Sequence, residues 1–237
     1  MRTLFFKHIL HVERHIKSLI SYYFCKKHGN LQTEYLDINN FNISKTNHKA
    51  ILKLLHSLQR ASSLPSTYSH ISHYIQIHNN VPLWVTMNVL TFGNVSAFFQ
   101  YMENDIQAKV IKHFPVYSEK HFHQFVTILA KCRNKCAHNE RLYDFKTTDA
   151  IPDAILHEKL QIPRRKGQYA LGKQDLFAVV ISLRYLINES DFKRFKSILS
   201  RLISGVLKMC PHLMKEQLLY KMGFPVNWHK ITRYKFN

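Results

Sequence analysis

KHFHQFVTILAKCRNKCAHNERLYDF, residues 120–145, begins as an amphipathic helix and ends in a basic run with an asparagine and a histidine. Phe122, Phe125, Leu129, Cys132 and Cys136 recur at steps of three and four, which places them on one narrow apolar stripe. Ser118, three residues before His121, is a plain N-cap. The spacing predicts a helix over about 119–138, and beyond Asn139 the pattern lapses.

The same period runs through the rest of the chain. Phe5, Ile9, Val12, Ile16, Leu19 and Tyr23 mark a long first helix, stopped by Lys26-Lys27-His28-Gly29 with cations in its last turn. A polar stretch, 32–42, leads to a helix carrying Ile51, Leu54, Leu55 and Leu58, closed at Ser62-Ser63-Leu64-Pro65. A short segment ends near Asn79-Asn80. Pro82 sits as an early residue of the next helix. Gly93-Asn94 breaks that run, and Asn94 caps one further helix reaching about Phe114. A loop is expected over about 146–172. Helices carrying Leu176, Val180, Leu183, Ile187 and then Phe195, Leu199, Leu202, Val206 follow. No alternating strand pattern appears, and 6 Gly with 7 Pro are too few for a barrel or sandwich. The expectation is an all-α helical bundle with additional helices, one domain over 1–237.

Charge is the first functional clue. Lys and Arg number 34 against 15 Asp and Glu, a formal net charge of +19. A field of that sign draws polyanions, nucleic acid above all. No targeting segment is evident: Lys7, His8 and His11 interrupt the N-terminal apolar run. Residues 83–99 are too broken by polar residues to span a bilayer. Four cysteines in a chain this long do not make a secreted disulfide scaffold. The chain reads as cytoplasmic, with no membrane partner.

Several chemistries are weighed for the basic run. Cys132, Cys136 and His138 could begin a zinc site, but both cysteines lie on the core stripe, where free Cys behaves as a small hydrophobe. His8, His11, His15 and His70, His73 have helical spacing but no carboxylate partner, so they read as polar surface. No phosphate-binding loop, nucleophile elbow or carboxylate pair is visible. No metal or cofactor is called for. Arg133 and His138 remain. Metal-free RNA cleavage needs proton transfer at the 2′-OH and at the leaving oxygen, which suits histidine. It also needs a fixed charge on the phosphorane, which suits arginine. Asn134 could hold the imidazole or the phosphate. On residue types alone, the alternative that Arg133 flanks the core and His138 decorates a helix end stands level.

Arg133-Asn134-x3-His138 resembles the Arg-x4–6-His motif of HEPN ribonucleases. RNKCAHNERLYDF (133–145) resembles the Abi-like family of AbiD/AbiF type, which acts in abortive infection. VPLWVTMNVLTFGNVSAFF (81–99) and MGFPVNW (222–228) resemble further segments of that family, in the expected order. Family members often carry more sequence before the first long helix, which here begins near Met1. The resemblance implies a HEPN bundle, usually a homodimer, with metal-independent RNA cleavage in phage defence or toxin-like arrest. It implies Arg133 and His138 as the catalytic pair and Asn134 as accessory. It also implies RNA as partner, including a small structured RNA in some relatives. Lys131, Lys135, Arg141, Arg164, Arg165 and Lys166 are candidate RNA contacts, each also readable as a solvated charge. The rival is a protein that holds a structured RNA without turning it over; a DNA-binding regulator is weaker because no helix-turn-helix pattern stands out.

One geometric difficulty follows. On a straight helix Arg133 and His138 point about 140° apart. The expectation is that the helix ends around Cys136–Asn139, and that the motifs of two protomers share a cleft.

Overall fold

The computed structural model describes residues 1–65 and 67–234. The fold is all-α. Helices α1 (Arg2–His28), α2 (Gln32–Leu36), α3 (His48–Ala61), α4 (Ser69–His78), α5 (Leu83–Val89), α6 (Phe92–Tyr101) and α7 (Asn104–Ile111) come first. Then follow α8 (Glu119–Ala137), α9 (Ile155–Lys159) and a hairpin of β1 (Arg164–Arg165) and β2 (Gln168–Tyr169). Helices α10 (Leu176–Leu186), α11 (Glu189–Met209) and α12 (Lys215–Lys221) and a 3-10 turn at Trp228–Arg233 complete the described chain. Two compact units result, Met1–Val12 with Phe114–Asn237, and Glu13–His113.

In α1 the predicted stripe holds through Phe5, Ile9, Val12 and Ile16, then moves to Ile20 and Phe24 in place of Leu19 and Tyr23. Steps of four carry the buried face on where the alternating three-and-four pattern would turn it back. Gly29, at φ 94°, ends the helix by donating its N–H to the Cys25 carbonyl at 2.9 Å. This is the left-handed exit that glycine takes without a Cβ penalty.

Within Glu13–His113, Phe24, Phe41 and Phe98 form an aromatic centre with ring centroids 5.2–6.0 Å apart. Buried Tyr35 donates its hydroxyl to the Val81 carbonyl at 2.7 Å. The polar stretch after α1 holds α2 and a 3-10 turn at Ile38–Asn40. Two expectations are corrected here. Thr91, not Asn94, caps α6: its Oγ1 accepts the Asn94 N–H at 3.2 Å, so Gly93 and Asn94 lie inside the helix. The single helix expected up to Phe114 is two, α6 and α7. Met102 leaves helical geometry to bridge Phe41, and the Tyr101 carbonyl accepts the Asn42 N–H at 2.8 Å. Pro82 is the residue before α5 rather than within it.

In the other unit, all eleven residues of α10 are buried, including Ser182 and Arg184. A helix apolar on every side belongs in the middle of a bundle. It packs along α8, where Phe125 stacks on Tyr185 with centroids 4.9 Å apart. On α11 the buried stripe is Phe192, Phe195, Leu199 and Ile203, one residue beyond the predicted Leu202.

The segment expected as loop, 146–172, contains α9 and the β1–β2 hairpin, so one short strand pair exists where none was expected. The hairpin turns on Lys166 and Gly167, at φ 49° and 78°. Two consecutive positive φ values match the twist of the flanking strands. Buried His157 anchors this segment. Its Nδ1 accepts the Ala154 N–H at 3.0 Å, so Nε2 carries the proton and donates to the Gly172 carbonyl at 2.8 Å. Burial holds its pKa below the ordinary histidine value, which keeps the ring neutral.

Candidate active site

Helix α8 is oriented from its core side. Ser118 Oγ accepts the His121 N–H at 3.2 Å, the expected N-cap. Phe122, Phe125, Leu129, Cys132 and Cys136 are all buried, as the period required. The cysteines therefore serve the core. Their thiols are hydrogen-bonded to each other; that bond, together with burial, raises the Cys132 pKa, and against burial it lowers that of Cys136. Among the described residues no group of three His, Cys, Asp or Glu side chains is placed to hold a metal ion.

With that face fixed, Arg133 emerges half-buried at the flank, and Asn134 and His138 are exposed. Arg133 Nη1 lies 3.5 Å from Asn134 Oδ1, the outer limit of a hydrogen bond. The helix ends within the expected Cys136–Asn139 window. His138 is the C-cap residue, at φ −88° and ψ 12°, and its N–H still reaches the Asn134 carbonyl at 3.0 Å. Asn139 then takes the left-handed conformation at φ 59°. Its N–H points to the Cys136 carbonyl at 3.4 Å, while the Glu140 N–H donates to the Lys135 carbonyl at 3.1 Å. This pair of bonds is the Schellman ending, with Asn in the place usually taken by Gly. His138 is therefore the last residue on the helical path, and because its N–H keeps the helical bond its side chain still leaves about 140° from that of Arg133. Among the described residues its ring has no hydrogen-bond partner.

The turn is held from outside as well. Arg2 Nη1 donates to the Asn139 carbonyl at 3.1 Å across 137 positions of sequence. No local pattern announces that contact. Asn139 did carry a signal, because Asn is the commonest non-glycine residue at such a position.

The basic candidates divide. Lys131 is paired with Asp149, and Lys135 with Glu140 at 3.3 Å, the latter also lying over the Phe145 ring. Arg141 is exposed and has no ion pair among the described residues. Arg164 is held by Asp153 at 3.1 Å and lies 4.2 Å from the Tyr169 ring centre. Arg165 and Lys166 are exposed on the hairpin. Of the histidine patches, His8 donates to the Leu4 carbonyl at 2.9 Å and packs on Phe195; His11, His15, His70 and His73 are exposed surface.

A profile described as Abi-like protein matches residues 1–144, which include the whole Arg133–His138 run. The chain belongs to the Abi-like family. Neither the curated proteins nor the solved structures contained a match to this Abi-like chain. Among its described residues no helix is long and apolar enough to cross a membrane.

Proposed function

We propose that this Abi-like protein is a metal-independent endoribonuclease of the HEPN type acting in abortive infection or as a toxin. The observation that carries the reading is the ending of α8. It supports the reading in that Arg133 and Asn134 lie in the last turns of α8 and His138 at its C-cap, inside the stretch that matches the family. In this reading His138 removes or supplies the proton at the 2′-OH or the leaving 5′-oxygen, and the product is a cyclic phosphate. Arg133 stabilises the phosphorane, with Asn134 positioning one of the two. A helix C-terminus carries about half a negative charge. A full guanidinium charge outweighs it, so the site depends on Arg133 rather than on the helix.

The exposed His138 ring leaves room for a second protomer to complete the site. A homodimer with facing motifs belongs to the same proposal. The exposed ring equally suits the rival reading, an RNA-holding protein without turnover. Incubating the purified protein with mixed RNA in EDTA separates them. Cleavage that persists in chelator and is lost in both Arg133→Ala and His138→Ala supports the nuclease. Tight RNA binding with no cleavage by the unmodified protein supports the rival.

A further inference from the structure

Immediately beyond the motif turn lies a cavity that the nuclease reading does not use. It has a volume of about 620 Å³, within the range of small-ligand sites. Its walls are apolar: Leu142 from the segment after α8, Ile203 and Val206 from α11, and Leu213 and Leu218 around α12. Three cationic side chains also line it, Arg2, Arg141 and Lys221, all exposed. The one carboxylate among the lining residues, Glu140, is tied to Lys135 at 3.3 Å. The charge of the lining side chains is therefore positive on balance.

We infer that this cavity is a binding site for an amphiphilic anion, a small molecule with an apolar acyl or aryl body and one anionic head. Apolar walls provide affinity in proportion to the area they cover, and the charge beside them selects the head group. A cation with the same tail meets the same walls and the wrong field. The inference does not rest on RNA cleavage, because occupancy is read directly.

The test is calorimetric titration of the full chain with decanoate, octanoate and decyltrimethylammonium, all below their micellar concentrations. Saturable one-site binding of decanoate is expected, with each buried methylene worth up to about fourfold in affinity. Octanoate should bind about tenfold more weakly, and decyltrimethylammonium should not saturate. Val206→Trp fills the cavity and should abolish binding. Should that change at a half-buried position prevent folding, the surface pair Arg141→Glu and Lys221→Glu should weaken decanoate at least about fivefold while near-ultraviolet circular dichroism stays native. Equal binding of both head groups, insensitivity to the charge reversal, or binding only with loss of the native spectrum would overturn the inference. A full-chain dimer that dissociates in Val206→Trp would also overturn it, since a second copy would then cover this face.

Discussion

The C-terminal end of α8 and the N-terminal end of α10 are built in opposite ways. At the end of α8 the chain leaves the helix through Asn139 and leaves His138 exposed. At the start of α10 everything is closed. Asp175 caps the helix, its oxygens accepting the Ala178 N–H at 3.0 Å and the Gly172 N–H at 2.9 Å. Gly223, of the MGFPVNW stretch, lies so close that a Cβ built on it would fall 2.1 Å from Asp175 Cγ. Phe224 and Trp228 of the same stretch are buried. One stretch thus presents polar groups to solvent, and the other secures a buried helix end.

The largest expected effect belongs to the open end. Arg133→Ala and His138→Ala should each lower RNA cleavage by about a hundredfold or more. The melting temperature of His138→Ala should stay within about 2 °C, since the side chain is exposed. A large fall in melting temperature with His138→Ala would make this end structural too and erase the contrast.

At the closed end the effect should fall on stability. Gly223→Ala combines a left-handed backbone, φ 77°, with overlap on Asp175. It should cost about 2–4 kcal/mol in urea unfolding. If Gly223→Ala left stability intact and removed cleavage, the MGFPVNW stretch would belong to the chemistry instead.

A third, smaller effect is a pH dependence. Burial raises the Asp175 carboxyl to about 6, against the bonds it accepts from backbone N–H groups. The folded chain then holds this proton more tightly than the unfolded one. The associated stability is complete below about pH 4 and is lost as pH rises through about 6, amounting to at most about 3 kcal/mol. Comparing Asp175→Asn with the unmodified chain from pH 4 to 7.5 isolates it: the stability difference should move in favour of the variant as pH rises. A difference that stays flat would mean that the carboxyl is ionised throughout.

The smallest effect separates the cations. Arg165→Ala with Lys166→Ala should weaken RNA binding a few-fold and reduce its salt dependence by one to two phosphate contacts at about 0.7 each for single strands. Lys131→Ala, which loses a residue already paired with Asp149, should do less in the same filter-binding series. Equal losses would show that the ion pair opens to receive RNA.

Much of this was legible beforehand where the cause is local. Helix period alone placed Phe122, Phe125, Leu129, Cys132 and Cys136 inward, and the Ser118 cap needed only a hydroxyl three residues before His121. Asn94 misled because Thr91 lies three residues before it and offers the competing oxygen, which decides the cap by one turn of geometry. The break at Met102 was hidden because it is caused by Phe41 and Asn42, some 60 positions away. Likewise, Lys131 and Lys135 read as available cations in the sequence, whereas the fold sets Asp149 and Glu140 beside them.

Side-chain order along the chain is enough for the helical class, the inward face of α8 and the Abi-like family. Each follows from side-chain order along one helix or from residue identity. The packing of distant segments adds the hold of Arg2 on the Asn139 carbonyl, which lysines are neutralised, and why Gly223 must lack a side chain. Those outcomes depend on groups that meet in space after being far apart in the chain, and no periodicity encodes such a meeting.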